Sequence, residues 1–292
     1  MSAGLFLPLL SAVGIALLST AVHRRVRPQL SAALLTGAIL GVVAAAVPTM
    51  AVLAFGFLVH LPYLGDGFEW CRLVLGFHAS VNPWLGGAAT VALSLGIIRA
   101  GRSVRAWRQH RCAESGAPAL VDSDDWFAYS LPGPGGRVAL SAGLIDALDG
   151  DELEVVLAHE RGHAAHRHDR HLLVAELAAA LVPPVEWLRR RLRFTLERWA
   201  DEVAVTAIGG DRERVAFTLA RVALGPGEAP RTVAAFNGLG VAARVDALLR
   251  PKPLRNEGIW SSTIGVGVMA VAVAAAVQAH HVVGLLVTLC SG

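Results

Sequence analysis

The sequence predicts a mainly α-helical, multi-pass membrane protein with four transmembrane helices and a polar α+β domain inserted between the third and the fourth. Two observations support this fold class. The 292 residues are 54% hydrophobic and only 17% charged, which is more apolar than is usual for a soluble domain. The apolar excess lies towards both ends of the chain, whereas residues 101–258 are rich in Arg, Asp, Glu and His.

Four segments are almost free of charge and are candidates to cross the hydrocarbon core as helices. They are residues 4–22, 31–61, 83–98 and 259–289. The first three fall within residues 1–100, and the fourth follows the polar domain. Because Pro48 lies inside the second segment, we predict one kinked or tilted helix there. A cleaved signal peptide is the alternative for the first segment, but no basic residue precedes its apolar run, which favours a membrane helix.

The arginines predict the orientation in the membrane. Arg24, Arg25 and Arg27 lie between the first two spans, whereas the loop at 62–80 holds two acids and one arginine. The positive-inside rule therefore places the first loop in the cytoplasm, and with it residues 101–258, while both termini lie outside. This anchoring accounts for the net charge of +3 without a nucleic-acid partner.

The cysteines indicate neither a disulfide framework nor a thiolate metal site, because Cys71, Cys112 and Cys290 stand far apart and form no C-x-x-C pair. Pairing of Cys71 with Cys290 outside the cell is left open.

The polar domain begins with a predicted β-hairpin. Residues 126–131 and 137–141 alternate between larger and smaller side chains, and residues 132–136 supply Pro and Gly for the turn.

Three helices are predicted after the hairpin. Asp151 and Glu154 resemble a capping box, and apolar residues at helical spacing predict a helix over 152–181, before two prolines. Further helices are predicted at about 185–208, before Gly209 and Gly210, and at 211–224. Residues 225–258 contain one short apolar stretch at 241–249.

The predicted 152–181 helix contains the pentapeptide HERGH, His159 to His163. Histidines four positions apart lie on one face of a helix, so their imidazoles can share a cation. Catalytic Zn²⁺ takes three protein ligands and leaves one position for water. We therefore predict one zinc ion per chain, with Glu160 as the general base. The structural alternative is a pair of surface or core histidines, and a third ligand decides between the two.

The pair Glu197 and Asp201 supplies candidates for the missing ligand. These acids are four apart on the next predicted helix, beside apolar residues, and acids that face an apolar interior require a partner. Glu197 as third ligand, and Asp201 as hydrogen-bond acceptor for a ligand imidazole, would meet that requirement. The alternative is an exposed ion pair between Glu197 and Arg193.

Two segments, VLAHERGHAAHRHDRHLLV and PPVEWLRRRLRFTLERWADEVAV, resemble the BlaR/MecR-type family of membrane metallopeptidases. The stretch FAYSLPGPGGRVALSAGLIDALDGDELEVVLAHE is similar to that family and to the related HtpX and CAAX prenyl protease group. All of these are gluzincins. The resemblance implies a zincin-like catalytic domain, with three spans before it and one after. It also implies His159, His163 and Glu197 as zinc ligands, Glu160 as base and Asp201 as the orienting acid.

Further residues are secondary candidates. His166 falls on the helical face of the HERGH histidines and is a candidate for contact with the metal site or a substrate. His168, where many relatives carry Asp, and His171 are predicted to point elsewhere. Arg244 resembles an arginine of the relatives that could steady the site or an oxyanion. The run of arginines over 189–193 is interpreted as a solvated face rather than a docking patch.

The predicted function is that of a zinc metalloendopeptidase embedded in a bacterial cell membrane, acting on a protein or peptide substrate. Either regulatory cleavage of a cytoplasmic transcriptional repressor or quality control of membrane proteins fits the resemblance. The alternative is a metal-binding signalling or scaffold protein, against which Glu160 argues, since a structural site needs no such carboxylate. Transport is disfavoured because the spans carry almost no ionisable residues. The oligomeric state is left open.

Overall fold

The computed structural model describes residues 7–24, 26–58, 82–115, 119–131, 137–225 and 238–250, together with a few single residues. Three long helices come first: α1 is Leu7–Val22, α2 is Pro28–Leu58 and α3 is Pro83–Ser115. A small sheet follows: β1 is Leu120–Val121, β2 is Ala128–Ser130 and β3 is Val138–Ser141. The helices after it are α4 (Ala142–Ala147), α5 (Gly150–Ala165), α6 (His168–Leu181), α7 (Glu186–Ala207), α8 (Arg212–Leu224) and α9 (Gly238–Leu249).

Two of the described helices, α2 and α3, are long and apolar enough to cross a membrane. α2 passes Pro48 as one helix, as the sequence predicts. α3 runs on past the predicted end at residue 98 and carries its arginines to Ser115. In α1 the apolar stretch is shorter, Ala12–Ala21, and nearly all of the predicted span at 259–289 lies outside the described residues. Four spans therefore stay a prediction.

The apolar helix α2 shares one hydrophobic core with helices of the polar domain. Leu188, Leu192 and Leu196, one helical turn apart on α7, pack into a cluster that includes Leu35 and Ile39 of α2. All five side chains are almost completely buried. Burial of a leucine stabilises a fold by roughly 1.5–3 kcal/mol, so this contact between α2 and α7 contributes to the stability of both.

A cavity introduced into this shared core is expected to be costly. Leu192 is fully buried, so Leu192→Ala should lower the free energy of unfolding by about 2–5 kcal/mol, measured by denaturant titration in detergent micelles. Leu224→Ala is the matched control, because Leu224 is 87% exposed and should change stability by less than about 0.5 kcal/mol. Equal effects of the two changes would contradict the shared core.

The sheet has the strand order β1-β3-β2, with β3 in the centre. β2 and β3 pair antiparallel with Ala128 opposite Leu140, which confirms the predicted hairpin. β1 pairs parallel to β3 and was not predicted, since its two residues are too few to show an alternating pattern. β2 is an edge strand of this sheet, on the side of α5.

The predicted single helix over 152–181 is wrong: α5 ends at Ala165, and α6 begins at His168. Arg167 adopts a left-handed conformation with φ of 53°, which breaks the helix although no Gly or Pro marks the site. The break places the buried His168 beside α5. The helix break is therefore explained by tertiary packing and not by a local sequence signal.

The predicted capping box is also displaced. Asp149, not Asp151, is the N-cap: its carboxylate accepts from Glu152 N at 2.8 Å, and Glu152 accepts from Asp149 N at 3.1 Å. Glu152 also pairs with Arg221 of α8. This contact joins residues that are remote in sequence. It favours the capping box of Asp149 and Glu152 over the equally spaced pair of Asp151 and Glu154.

Candidate metal centre

The centre lies between α5, which carries the HERGH pentapeptide, and α7, which carries both predicted acids. The two helices approach closely because residue 162 is glycine. A Cβ atom at Gly162 would lie 3.2 Å from Cβ of Val203 and 3.5 Å from Cα of Ala200. The missing side chain thus lets the two predicted ligand sets meet.

Three potential ligands lie together: His159, His163 and Glu197. The Nε2 atoms of the two histidines are 3.2 Å apart. Glu197 places Oε2 at 3.7 Å from Nε2 of His159 and Oε1 at 3.8 Å from Nε2 of His163. A tetrahedral ion with bonds near 2.0 Å holds its ligand atoms about 3.3 Å apart. The two imidazoles and the carboxylate therefore fit a metal ion with little movement.

Asp201 lies on the far side of His159, where its Oδ1 is 3.1 Å from Nδ1 of the imidazole. A proton on Nδ1 leaves Nε2 free to face the centre. Asp201 is 2% exposed, so this contact is shielded from water. The carboxylate is thus in a position from which it can orient the ring.

Arg244 of α9 joins the two acids of α7. Its Nε and Nη2 donate to Asp201 at 2.9 and 2.6 Å, and its Nη1 lies 3.0 Å from Oε2 of Glu197. All three groups are largely buried. The positive charge of the arginine therefore compensates the two carboxylate charges at a place that is shielded from water. Among the described residues, the alternative pair of Glu197 with Arg193 does not form.

His168 is the residue whose place the sequence analysis missed. Predicted to point elsewhere, it is 1% exposed, and its Nδ1 lies 2.9 Å from Nδ1 of His163. If Nε2 of His163 faces a metal, the proton sits on its Nδ1, which then donates to His168. Burial lowers the pKa of His168 to about 2, so this acceptor stays neutral. Its position five residues after His163 was the available signal.

His166 does not join the centre. It is the C-cap of α5, and its ring lies 4.5 Å from that of Trp199, tilted by 30°. The predicted contact with the metal site fails because the chain leaves the helix at this residue. His171 also lies outside the centre, as predicted: its Nδ1 forms a hydrogen bond of 3.0 Å with Oγ1 of Thr36 on α2.

Glu160 is buried at 8% exposure, and it is close enough to His159 and Glu197 for their charges to act on its pKa. Burial, and next the negative charge of Glu197, raises its pKa to about 7, while the positive charge of His159 and a backbone hydrogen bond from Ser130 oppose the rise. A carboxyl group with a pKa near the working pH can both accept and donate a proton. Glu160 thus has the ionisation of a general acid-base group.

The two imidazoles titrate in opposite directions. Burial lowers the pKa of His163 to about 4, so its ring is neutral. Burial also disfavours the charged form of His159, but its hydrogen bonds to Asp201 and Glu197 outweigh this and raise its pKa to about 9. A proton on His159 must therefore leave before its Nε2 can bind a metal.

Comparisons with known proteins match part of the middle of the chain. Residues 110–191 match the model of peptidase family M48, a stretch that includes the HERGH pentapeptide and ends before Glu197. Three curated relatives carry the name "Protease HtpX homolog". That of Picrophilus torridus is 46% identical over 65 residues, or 22% of this chain and 20% of the relative.

The other two relatives match similar lengths. The protein of Thermoplasma acidophilum is 41% identical over 64 residues, or 22% of this chain and 20% of its own length. That of Aeropyrum pernix is 39% identical over 99 residues, or 34% and 27%. The chain thus spans only about a fifth to a quarter of the curated relatives it matches. No solved structure matches the chain. The predicted likeness to the HtpX group is confirmed, and that to the BlaR/MecR type stays a prediction.

Proposed function

We propose that the chain is a zinc metalloendopeptidase embedded in a membrane. The observation that carries the proposal is the meeting of His159, His163 and Glu197 around one point, with a buried carboxyl group, Glu160, next to it. Two neutral imidazoles and one carboxylate are the ligands of many catalytic zinc sites. When bound, one zinc ion would polarise a carbonyl group and lower the pKa of a water molecule.

The other proposed roles belong to side chains of the chain itself. Glu160 takes a proton from the attacking water and later delivers it to the leaving amine. Asp201 holds the ring of His159 through Nδ1, and His168 holds the ring of His163 in the same way. Arg244 fixes the positions of Glu197 and Asp201. Each proposed ligand is thus held in position by a hydrogen bond or an ion pair with a buried neighbour.

The edge strand β2 is the proposed support for an extended peptide. Its last residue, Ser130, provides the backbone hydrogen bond to Glu160. A peptide that adds to this edge as a further strand would run beside the general base. This placement favours cleavage within an unfolded or extended segment of a protein.

For the cellular role we keep both predicted substrates, a cytoplasmic repressor-like protein and misfolded membrane proteins. Both require the catalytic part on the cytoplasmic side of a bacterial cell membrane. The apolar helices α2 and α3 and the arginines that flank them support this topology. Fused after Arg111, a reporter that works only in the cytoplasm should be active, and a reporter that works only in the periplasm should be inactive. Activity of a periplasmic reporter at that position would refute the topology.

The central test of the proposal measures metal and cleavage together. The purified full chain should contain one zinc ion per chain, hydrolyse an unfolded protein such as reduced casein, and lose this activity with a chelator. If it binds zinc stoichiometrically but cleaves no substrate, the scaffold alternative replaces the peptidase.

Zinc affinity is expected to rise with pH up to about 9. The pKa of His159 in the metal-free protein is raised from 6.5 to about 9, so below pH 9 the metal must displace a proton. Asp201 and Glu197 on α7 raise this pKa, and Arg244 on α9 opposes them. One displaced proton changes the apparent affinity about tenfold per pH unit. Competition with a chromophoric chelator at pH 6.5, 7.5 and 8.5 measures the slope.

A variant locates the source of that slope. In Asp201→Asn the carboxylate that raises the pKa of His159 is lost, so the affinity should level off at a lower pH. A wild-type affinity that does not change between pH 6.5 and 8.5 would contradict the assignment.

A further inference from the structure

A cavity of about 620 Å³ lies apart from the metal centre, between the α1–α2 connection, α7 and α9. Among the residues that the structure describes, its lining is rich in arginine and includes two acids, Glu202 and Asp246. The arginines are Arg24, Arg27, Arg198, Arg212 and Arg250. The cavity is therefore strongly positive.

Both acids of the cavity are already paired. Glu202 accepts from Nη1 and Nη2 of Arg212 at 2.9 and 2.6 Å, and Asp246 lies 3.3 Å from Nε of Arg250. Within the part of the chain that the structure describes, neither Arg24 nor Arg198 forms an ion pair. Arg24 instead lies over the ring of Phe194, with its guanidinium carbon 5.5 Å from the ring centroid. Two guanidinium groups thus line the cavity without an ion pair, although the charges of Glu202 and Asp201 still act on Arg198.

The uncharged part of the lining is mostly apolar and includes Val26, Pro28 and Val203, together with the polar Gln29 and Thr206. A charged end beside aliphatic walls suits an anion attached to an apolar body. The α1–α2 connection directly precedes α2, a candidate membrane span, so the cavity opens near the end of that helix. Arginines at such a place are typical of sites for phospholipid headgroups.

We propose that this cavity binds a phosphate group, either of an anionic phospholipid or of a small soluble phosphate, through Arg24 and Arg198. Guanidinium groups bind phosphate oxygens through charge-assisted hydrogen bonds, and two of them can share one phosphate. The inference does not depend on the proposed peptidase activity, because no ligand of the metal centre lines the cavity.

The bound phosphate would join parts of the chain that also build the metal centre. Arg198 and Glu202 follow Glu197 and Asp201 by one residue each on α7, about 100° around the helix. On α9, Ala243 and Ala247 line the cavity, and Arg244 is turned to the acids. A ligand held between the α1–α2 connection and these helices therefore fastens α7 and α9 together behind the centre.

Binding is tested on the purified full chain in a neutral detergent. Phosphatidylglycerol, phosphatidylcholine and inorganic phosphate are titrated separately, and the thermal unfolding midpoint and the number of bound lipids by native mass spectrometry are recorded. Phosphatidylglycerol should raise the midpoint and remain bound, and phosphatidylcholine should not. Arg24→Gln and Arg198→Gln should each weaken binding about tenfold or more, the effect of losing one charge-assisted hydrogen bond.

The matched control is Arg190→Gln, since Arg190 lies on α7 outside the cavity and its side chain is 79% exposed. It should bind phosphatidylglycerol like the wild type. Arg198→Lys, which keeps the charge, should retain part of the affinity and shows that a loss in Arg198→Gln is not a loss of folding. Binding of inorganic phosphate alone, with the same arginine dependence, supports the site with a soluble ligand. The proposal is overturned if wild type, Arg24→Gln and Arg198→Gln bind equally. It is also overturned if the wild type binds neither phosphatidylglycerol nor inorganic phosphate.

Discussion

Glu160→Gln is expected to lower the rate of peptide hydrolysis by about 10²–10⁴-fold, the contribution of a positioned general base. The amide keeps the size of the side chain but cannot accept the proton of the attacking water. Because Glu160 is not one of the three grouped donors, the variant should still bind one zinc ion per chain. Initial rates of casein cleavage, together with metal content by atomic emission, measure the two effects separately.

The control for this change is Glu154→Gln. Glu154 lies on α5 as well, but it is exposed and away from the centre, so its loss should leave the rate within about twofold. Full activity in Glu160→Gln would exclude Glu160 as the base. Loss of zinc in the same variant would show that the carboxylate supports the metal site instead.

Arg244→Gln is expected to destabilise the metal-free protein by about 3–5 kcal/mol. Removal of one partner of a buried ion pair leaves uncompensated charge in a medium that solvates it poorly. Here the change leaves two carboxylates, Glu197 and Asp201, without their shared counter-ion. Unfolding by denaturant in micelles, after zinc is removed with a chelator, measures the loss.

Arg190→Gln is the comparison, since the ion pair of Arg190 with Glu186 is exposed and should contribute at most about 1 kcal/mol. Zinc should restore part of the stability of Arg244→Gln, because the metal supplies positive charge to Glu197. A loss equal to that in Arg190→Gln would contradict the bridging role.

The metal centre was predictable to the extent that helical periodicity defines it. His159 and His163 are four apart, and so are Glu197 and Asp201, and this spacing places each pair on one face. The facing of the two pairs follows from two helices in close contact at Gly162. Here the spacing of residues along the chain and the packing of helices agree, so the predicted donors lie together in the structure.

The missed features depend on contacts that are remote in sequence. The helix break at Arg167 has no Gly or Pro, and it is stabilised by the burial of His168 against His163. Arg244 lies 43 residues beyond Asp201, so no periodic pattern connects them. The displaced cap at Asp149 likewise reflects the pair of Glu152 with Arg221. Local patterns carry no information about such partners.

The core that α2 shares with α7 has a consequence for how the catalytic part can be produced. A fragment that starts at residue 101 would lack α2, and Leu188, Leu192 and Leu196 would lose the contacts with α2 and expose part of an apolar strip. Such a strip promotes aggregation. Glu197 follows Leu196 directly, so the candidate third ligand is next to the last leucine of this strip along α7. The packing of the helix that carries Glu197 is thus completed by α2, so the candidate metal centre and α2 should be produced in one chain.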